Sequence, residues 1–246
     1  MQRRLFLTAA LAAPALLSRR ARAAEPVDVE LVLAVDVSRS VDTEEQELQF
    51  KGYEAAFRDA RLADGIGGGP VGAIGVMLFT WSGWNQQEIL VPWMRLDGPR
   101  SANAFADAVA AAPRKTHLYT SISGAMDFAA QQFGKAFEGT RRVVDISGDG
   151  INNSGRPVAQ AREEALAKGI VFNGLAVMDN TPLPPALAAG LPPLDEYYRD
   201  EVIGGPGAFL VVAEGFNTFE NAVRRKIIRE IAWNPPPGPL VERVVV

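Results

Sequence analysis

The chain has 246 residues, of which 48% are hydrophobic, and its mean hydropathy is +0.02. These values predict a soluble α/β protein with a real core, long enough for one domain of usual size or two small ones. The chain contains no cysteine and one histidine, His117. This composition excludes disulfides, zinc–thiolate sites, thiol nucleophiles and multi-histidine metal sites.

Residues 1–24 predict an export signal. Arg3 and Arg4 precede a mostly apolar run over residues 5–17, and residues 21–23 form an Ala-Arg-Ala cleavage sequence. The run is too short to span a bilayer, and QRRLFLT around the two arginines is similar to a twin-arginine signal. Cleavage would remove five arginines and no acid, so the net charge would fall from −4 to −9.

The predicted location of the mature protein is therefore periplasmic or secreted, with an uncleaved anchor as the alternative. Its negative charge disfavours nucleic acid as a partner, and no stable membrane insertion is expected after signal cleavage.

The first predicted strand ends in an oxygen-rich segment, within the sequence VELVLAVDVSRS at residues 29–40. Residues 31–35 are all apolar, which is typical of a strand buried on both faces. Asp36, Ser38 and Ser40 follow at every second position, so in an extended chain their side chains point the same way. Three hard oxygen donors suggest a divalent cation such as Mg²⁺. The alternative is that Asp36 or Ser40 caps the next helix.

Helical and extended patterns alternate along the rest of the chain. The predicted strands cover residues 73–80, 87–96, 142–147, 170–178 and 208–213, the first two joined as a hairpin. The predicted helices cover residues 42–62, 101–112, Thr120 or Ser121 to 133, 157–168 and 217–232, with a short one around 195–202 in a loop-like segment. Asp42 with Glu45, and Asn217 with Glu220, are predicted capping pairs.

Two motifs are not given a function. The glycines at 67, 69 and 72 formally match a dinucleotide fingerprint, but they precede a strand instead of joining a strand to a helix. The last predicted helix carries four cations that are interpreted as a solvated face: Arg224, Arg225, Lys226 and Arg229.

This alternation predicts a single doubly wound, Rossmann-like α/β domain over residues 25–233, followed by a Pro-rich tail at 234–246. Its sheet is expected to be six-stranded and mostly parallel, with helices on both faces and one antiparallel edge hairpin. In the strand order 3-2-1-4-5-6, ligands bind beyond the carboxyl ends of the first and fourth strands. The fourth strand ends at Asp149-Gly150, so Asp149 and Asp36 are predicted to meet.

These segments resemble the metal-ion-dependent adhesion site, MIDAS, of von Willebrand factor A (vWA) domains. The resemblance rests on DVSRS, Thr120 at a helix start and Asp149 followed by glycine. It implies that Ser38, Ser40 and Thr120 coordinate Mg²⁺ directly, and that Asp36 and Asp149 hold it directly or through water. Mn²⁺ and Ca²⁺ are alternative ions.

The whole chain after the signal also resembles a bacterial secreted A-domain family of unknown function. One departure is Ser123-Gly124, because the vWA pattern places the glycine one position earlier. This departure keeps Ser121 open as a substitute for Thr120.

Such a site suits binding better than turnover. Neutral hydroxyls and two carboxylates leave a cation that requires six oxygens with an open position, which a partner's carboxylate would fill. The predicted function is a divalent-metal-dependent protein-binding domain, for adhesion or scaffolding in the bacterial cell envelope. The predicted partner is another protein presenting Asp or Glu.

The alternative function is an Mg²⁺-dependent hydrolase or phosphatase with Asp36 as nucleophile, although Ser38 stands where such enzymes need a second acid. A serine hydrolase would need His117 beside a serine, and no G-x-S-x-G motif is present. Residues 145–150 begin like a calcium loop, but Arg156 occupies the position of its bidentate glutamate. A structural metal, or none, is the last alternative.

Overall fold

The computed structural model describes residues 24–178, 190–232 and 240–245. Its strands are β1 Glu25–Asp36, β2 Ile74–Trp81, β3 Gln87–Leu96, β4 Phe137–Gly148, β5 Ile170–Val177, β6 Leu210–Ala213 and β7 Val241–Val244. They form one sheet in the order β3-β2-β1-β4-β5-β6-β7, parallel except for the β2–β3 hairpin at the edge. The predicted α/β class, edge hairpin and switch point between β1 and β4 are confirmed.

Helices cover both faces of the sheet. They are α1 Thr43–Arg58, α2 Ala60–Gly67, α3 Pro99–Ala111, α4 Ile122–Ala130, α5 Val158–Leu166, α6 Leu194–Tyr197 and α7 Phe219–Ile231. A single turn of π-helix over Tyr198–Val202, called the π-turn below, follows α6. A 3-10 turn over Phe216–Thr218 precedes α7. The core against α1, α2, α3 and α7 lies on one face, and the core against α4, α5 and the π-turn lies on the other.

The sheet has seven strands, so the predicted count of six is wrong. Val241–Val244 lies in the segment predicted as a Pro-rich tail, yet it pairs parallel with β6, from Leu210 opposite Val241 to Ala213 opposite Val244. Two of its four residues are charged, Glu242 and Arg243, and it is only partly buried, so it lacks the continuous apolar run that predicted the equally short β6.

Lys226 is not part of a solvated face. It is fully buried, and its Nζ lies 2.7 Å from a carboxylate oxygen of Asp145 on β4 and also donates to Glu230. Asn173 on β5 donates to Glu230 at 2.9 Å. Lys226 and Glu230 are one helical turn apart on the buried side of α7, where Ile227 also lies. This side therefore contains an ion cluster among apolar residues. The sequence interpretation divided the helix into an apolar face and a solvated cationic face, and it did not predict this cluster.

Several element boundaries differ from the prediction. Asp42 and Glu45 form the predicted capping box of α1. Asp59 then ends α1 and caps α2, which divides the predicted helix 42–62. The predicted cap of Asn217 with Glu220 does not form, because the 3-10 turn moves the start of α7 to Phe219.

Residues 1–23, which hold nearly all of the predicted export signal, lie outside the described residues. Within the part of the chain that the structure describes, none of the helices combines the length and apolar character needed to span a membrane.

Candidate metal centre

Asp36 lies at the carboxyl end of β1, an interior strand that pairs with β2 and β4. It is fully buried, and its Oδ1 accepts a 2.7 Å hydrogen bond from the backbone N–H of Ser38. Its Oδ2 is also buried and has no hydrogen-bond partner among the described residues. A buried carboxylate oxygen without a partner is costly, so this position favours a bound cation.

A chain of hydroxyl contacts connects this segment to the end of β4. The Oγ atoms of Ser38 and Ser40 are 3.0 Å apart, and the Ser40 Oγ donates to Asp149 Oδ1 at 2.8 Å. Because β1 and β4 are parallel neighbours, their carboxyl ends meet at the same edge of the sheet. The first and fourth strands thus bring these residues together, as the strand order predicted.

Thr120 approaches from the loop before α4. Its backbone N–H donates to Asn153 Oδ1 at 2.8 Å, and its carbonyl accepts from the Asn153 N–H at 2.8 Å. A Cβ added to Gly150 would lie 3.6 Å from both the Oγ1 and the Cγ2 of Thr120, so this side chain lies beside the segment that carries Asp149.

Ser121 instead caps α4, because its Oγ accepts from the Gly124 N–H at 3.1 Å. This role separates the two candidates that the sequence left open. The Thr120 side chain lies beside Gly150, next to Asp149, and Ser121 belongs to the helix start.

The electrostatics of the centre fit a cation. The pKa of Asp36 is raised well above its ordinary value, first by burial and then by the charge of Asp149, although bonds from Ser38 lower it. The described residues contain no group of three or more His, Cys, Asp and Glu placed to hold a metal. A metal here would therefore depend on hydroxyl oxygens as well as two carboxylates, and hard divalent cations accept such donors.

A family model described as a protein of unknown function, DUF1194, matches residues 26–235. The chain belongs to this family. No curated protein sequence matches it.

Solved structures show which fold the DUF1194 chain has. It is similar to mussel byssus proximal thread matrix protein 1 with a zinc-occupied MIDAS motif, at 12% identity and a TM-score of 0.59, over 84% of this chain and 48% of that one. The pilus adhesin SpaC of Lactobacillus rhamnosus GG matches at 13% identity and a TM-score of 0.57, over 85% and 31%. A von Willebrand factor type A protein of Catenulispora acidiphila matches at 13% identity and a TM-score of 0.53, over 84% and 43%.

The DUF1194 chain spans less than half of each of these three proteins. At these identities the likeness establishes the fold, which is that of vWA domains.

The sequence did not predict that Tyr198 lies beside the candidate metal centre of this chain. Its ring is fully buried, and its hydroxyl has no hydrogen-bond partner among the described residues. A Cβ added to Gly148 would lie 2.7 Å from this hydroxyl and 2.8 Å from Asp36 Oδ2, so only glycine fits between the two groups. Burial raises the pKa of Tyr198, and Asp36 raises it further. Tyr198 lies in the short helix predicted around residues 195–202, and nothing in that pattern indicated its placement beside Gly148.

Two residues of the alternative functions have other roles in the structure. Asp145, which would begin a calcium loop, lies inside β4 and pairs with Lys226. His117 donates its backbone N–H to the Val37 carbonyl at 3.1 Å and forms a bridge with Ser38. This contact places the loop of His117 beside the segment that carries Ser38.

Proposed function

We propose that this protein is a metal-dependent protein-binding domain of the bacterial cell envelope, for adhesion or scaffolding. The proposed ion site consists of Asp36, Ser38, Ser40, Thr120 and Asp149. The observation that carries the proposal is the contact chain from Ser38 through Ser40 to Asp149, beside a buried oxygen of Asp36 that has no partner among the described residues.

Each residue has a distinct part in the proposed site. Asp36 is held by the Ser38 N–H, which orients one carboxylate oxygen and leaves the other buried beside Gly148, without a hydrogen-bond partner among the described residues. Ser38, Ser40 and Thr120 contribute neutral oxygens, so two carboxylates supply all of the negative charge. A divalent ion bound there would supply a coordination position for a carboxylate from outside the chain. The proposed partner is therefore a protein that presents Asp or Glu.

The fold neighbours support this proposal by analogy. Their descriptions name a zinc-occupied MIDAS motif in a mussel matrix protein and an adhesin in a bacterial pilus. For the DUF1194 chain we propose Mg²⁺, with Mn²⁺ and Ca²⁺ as alternatives. The envelope location rests on the export signal predicted at residues 1–24.

Isothermal titration with Mg²⁺, Mn²⁺ and Ca²⁺ tests the site directly. We expect one ion per chain, and we expect Asp36→Asn to weaken binding at least about tenfold, because a charged ligand is lost. Asp64→Asn is the matched control, since Asp64 is an exposed carboxylate on α2. Equal ion affinity in Asp36→Asn and the wild type would contradict the proposed site.

A second assay addresses turnover. Hydrolysis of p-nitrophenyl phosphate that requires Mg²⁺ and disappears in Asp36→Asn would contradict a binding-only function and favour a hydrolase. We expect no Mg²⁺-dependent turnover in the wild type or in Asp64→Asn above that of Asp36→Asn.

A further inference from the structure

Three large apolar side chains are exposed beside the candidate metal centre. The exposed fractions are 62% for Trp84, 53% for Leu118 and 64% for Tyr119. Their two loops adjoin, because the Ser121 N–H donates to the Ser82 carbonyl at 2.6 Å. Single exposed apolar residues are common, but a group on adjoining loops is typical of a binding surface. We call these three residues the apolar rim.

The loop that carries Leu118 and Tyr119 is held at both of its ends, next to the candidate ligands. Before Leu118, the His117 N–H bonds to the carbonyl of Val37, the residue next to Ser38. After Tyr119, Thr120 bonds to Asn153 through its backbone. A partner group at the metal centre would therefore have the apolar rim beside it.

The rim also has a constrained backbone. Tyr119 has φ of +69°, the only positive φ among described residues other than glycine. Such a conformation is unfavourable for a bulky residue and is typical of functional loops.

Trp84 is seated against two glycines. A Cβ on Gly124 would lie 2.6 Å from the Trp84 carbonyl oxygen, and a Cβ on Gly155 would lie 3.1 Å from the Trp84 Cβ. A large aromatic side chain that is exposed on a fixed backbone is typical of the residues that dominate binding energy at interfaces.

The charges around the centre restrict the partner further. Arg39 is exposed between Ser38 and Ser40, Asp42 and Glu44 are exposed at the start of α1, and the whole chain has a net charge of −4. The two acids and the net charge oppose an acidic tract, whereas a single carboxylate among apolar residues would be attracted by Arg39 and the bound ion. We propose that the apolar rim selects protein segments in which one Asp or Glu is flanked by apolar side chains. This inference rests on the proposed metal-dependent function.

Peptide display tests the selection. A library of short peptides with one fixed aspartate is selected on the wild-type protein in Mg²⁺, and an enriched peptide is then synthesised. We expect Leu, Phe or Trp to be enriched beside the aspartate. Trp84→Ser and Tyr119→Asn should each weaken binding of that peptide by about tenfold without changing Mg²⁺ affinity. Asparagine tolerates the positive φ of Tyr119.

Val71→Ser is the matched control, because Val71 is an exposed apolar residue at the opposite, amino end of β2. Two results would overturn the proposed selectivity of the apolar rim and leave the proposed function intact. One is enrichment of polar neighbours, and the other is equal peptide affinity in wild type, Trp84→Ser and Tyr119→Asn. Selection of peptides that bind equally well in EDTA and to Asp36→Asn, or of none at all, would overturn both. Dimerisation lost in Trp84→Ser, measured by sedimentation, would assign the rim to a second copy of this chain and overturn the inference.

Discussion

At the scale of single residues, Asp36 places a charge where the isolated protein does not favour one. Burial raises the pKa of Asp36, and the charge of Asp149 raises it further, so both disfavour the ionised carboxylate. An asparagine in its place would keep the acceptor for the Ser38 N–H and remove the charge. We therefore expect Asp36→Asn to raise the free energy of unfolding in EDTA by on the order of 1 kcal/mol. Urea denaturation in EDTA measures this change.

The same variant should gain less stability from Mg²⁺ because its ion binding is weaker, so wild type and Asp36→Asn should exchange order of stability when EDTA is replaced by saturating Mg²⁺. Asp64→Asn serves again as the control, with little change in either condition. A less stable Asp36→Asn protein in EDTA would show that the carboxylate has a favourable structural role without an ion.

The sequence could predict the site residues whose position follows from the period of one strand or from the order of the strands. Asp36, Ser38 and Ser40 follow from the two-residue period of an extended chain, and Asp149 follows from the strand order. Tyr198 and Gly124 could not be predicted, because each depends on the approach of a distant segment. Gly124 is a glycine because the Trp84 carbonyl comes too close for a Cβ. The departure from the vWA pattern at Ser123-Gly124 thus has a packing cause.

At the scale of elements, the buried cluster of Lys226, Asp145 and Glu230 joins α7 to β4. One cation faces two carboxylates, and all three side chains are inaccessible to solvent. Burial raises the pKa of Glu230 from 4.5 to about 7, although Lys226 opposes this shift. The folded protein therefore retains a proton that the unfolded chain releases.

This difference has a definite effect on stability. A raised pKa in the folded state contributes stability that is fully present below pH 4.5 and is lost as the pH rises through about 7. Between pH 5 and 8, we expect Glu230→Gln to gain about 2 to 3 kcal/mol in free energy of unfolding relative to wild type. Urea denaturation at several pH values measures it.

Glu220→Gln is the matched control for this series, since Glu220 is an exposed carboxylate in the first turn of α7. A constant difference between Glu230→Gln and wild type across the pH range would contradict the assignment of the proton to this cluster.

Elements were predictable where their pattern is long. The alternation of strands and helices indicated the class and the order of the first six strands. It could not predict β7, in which two of four residues are charged, or the ion cluster, whose members look like surface charges until α7 is placed on β4 and β5. Asp145 and Asn173 inside apolar strands were the available signals for that cluster.

At the scale of the whole molecule, the proposed ion would connect three segments that are far apart in sequence, at residues 36–40, Thr120 and Asp149. An ion that binds only the folded state stabilises it by about 2.7 kcal/mol when its free concentration is 100 times the dissociation constant. We expect Mg²⁺ to raise the free energy of unfolding by this amount and EDTA to reverse the effect.

Native-state hydrogen exchange shows where the added stability acts. Local opening of the loops at the carboxyl edge should slow in Mg²⁺, because they carry the proposed ligands. The amino edge is the internal reference. There the N–H groups of Val71 and Gly72 bond to Asp28, and their local opening should be unchanged. Protection confined to that edge would place the ion elsewhere. Equal slowing of only the slowest amides in both regions would show that ion binding is linked to global unfolding alone.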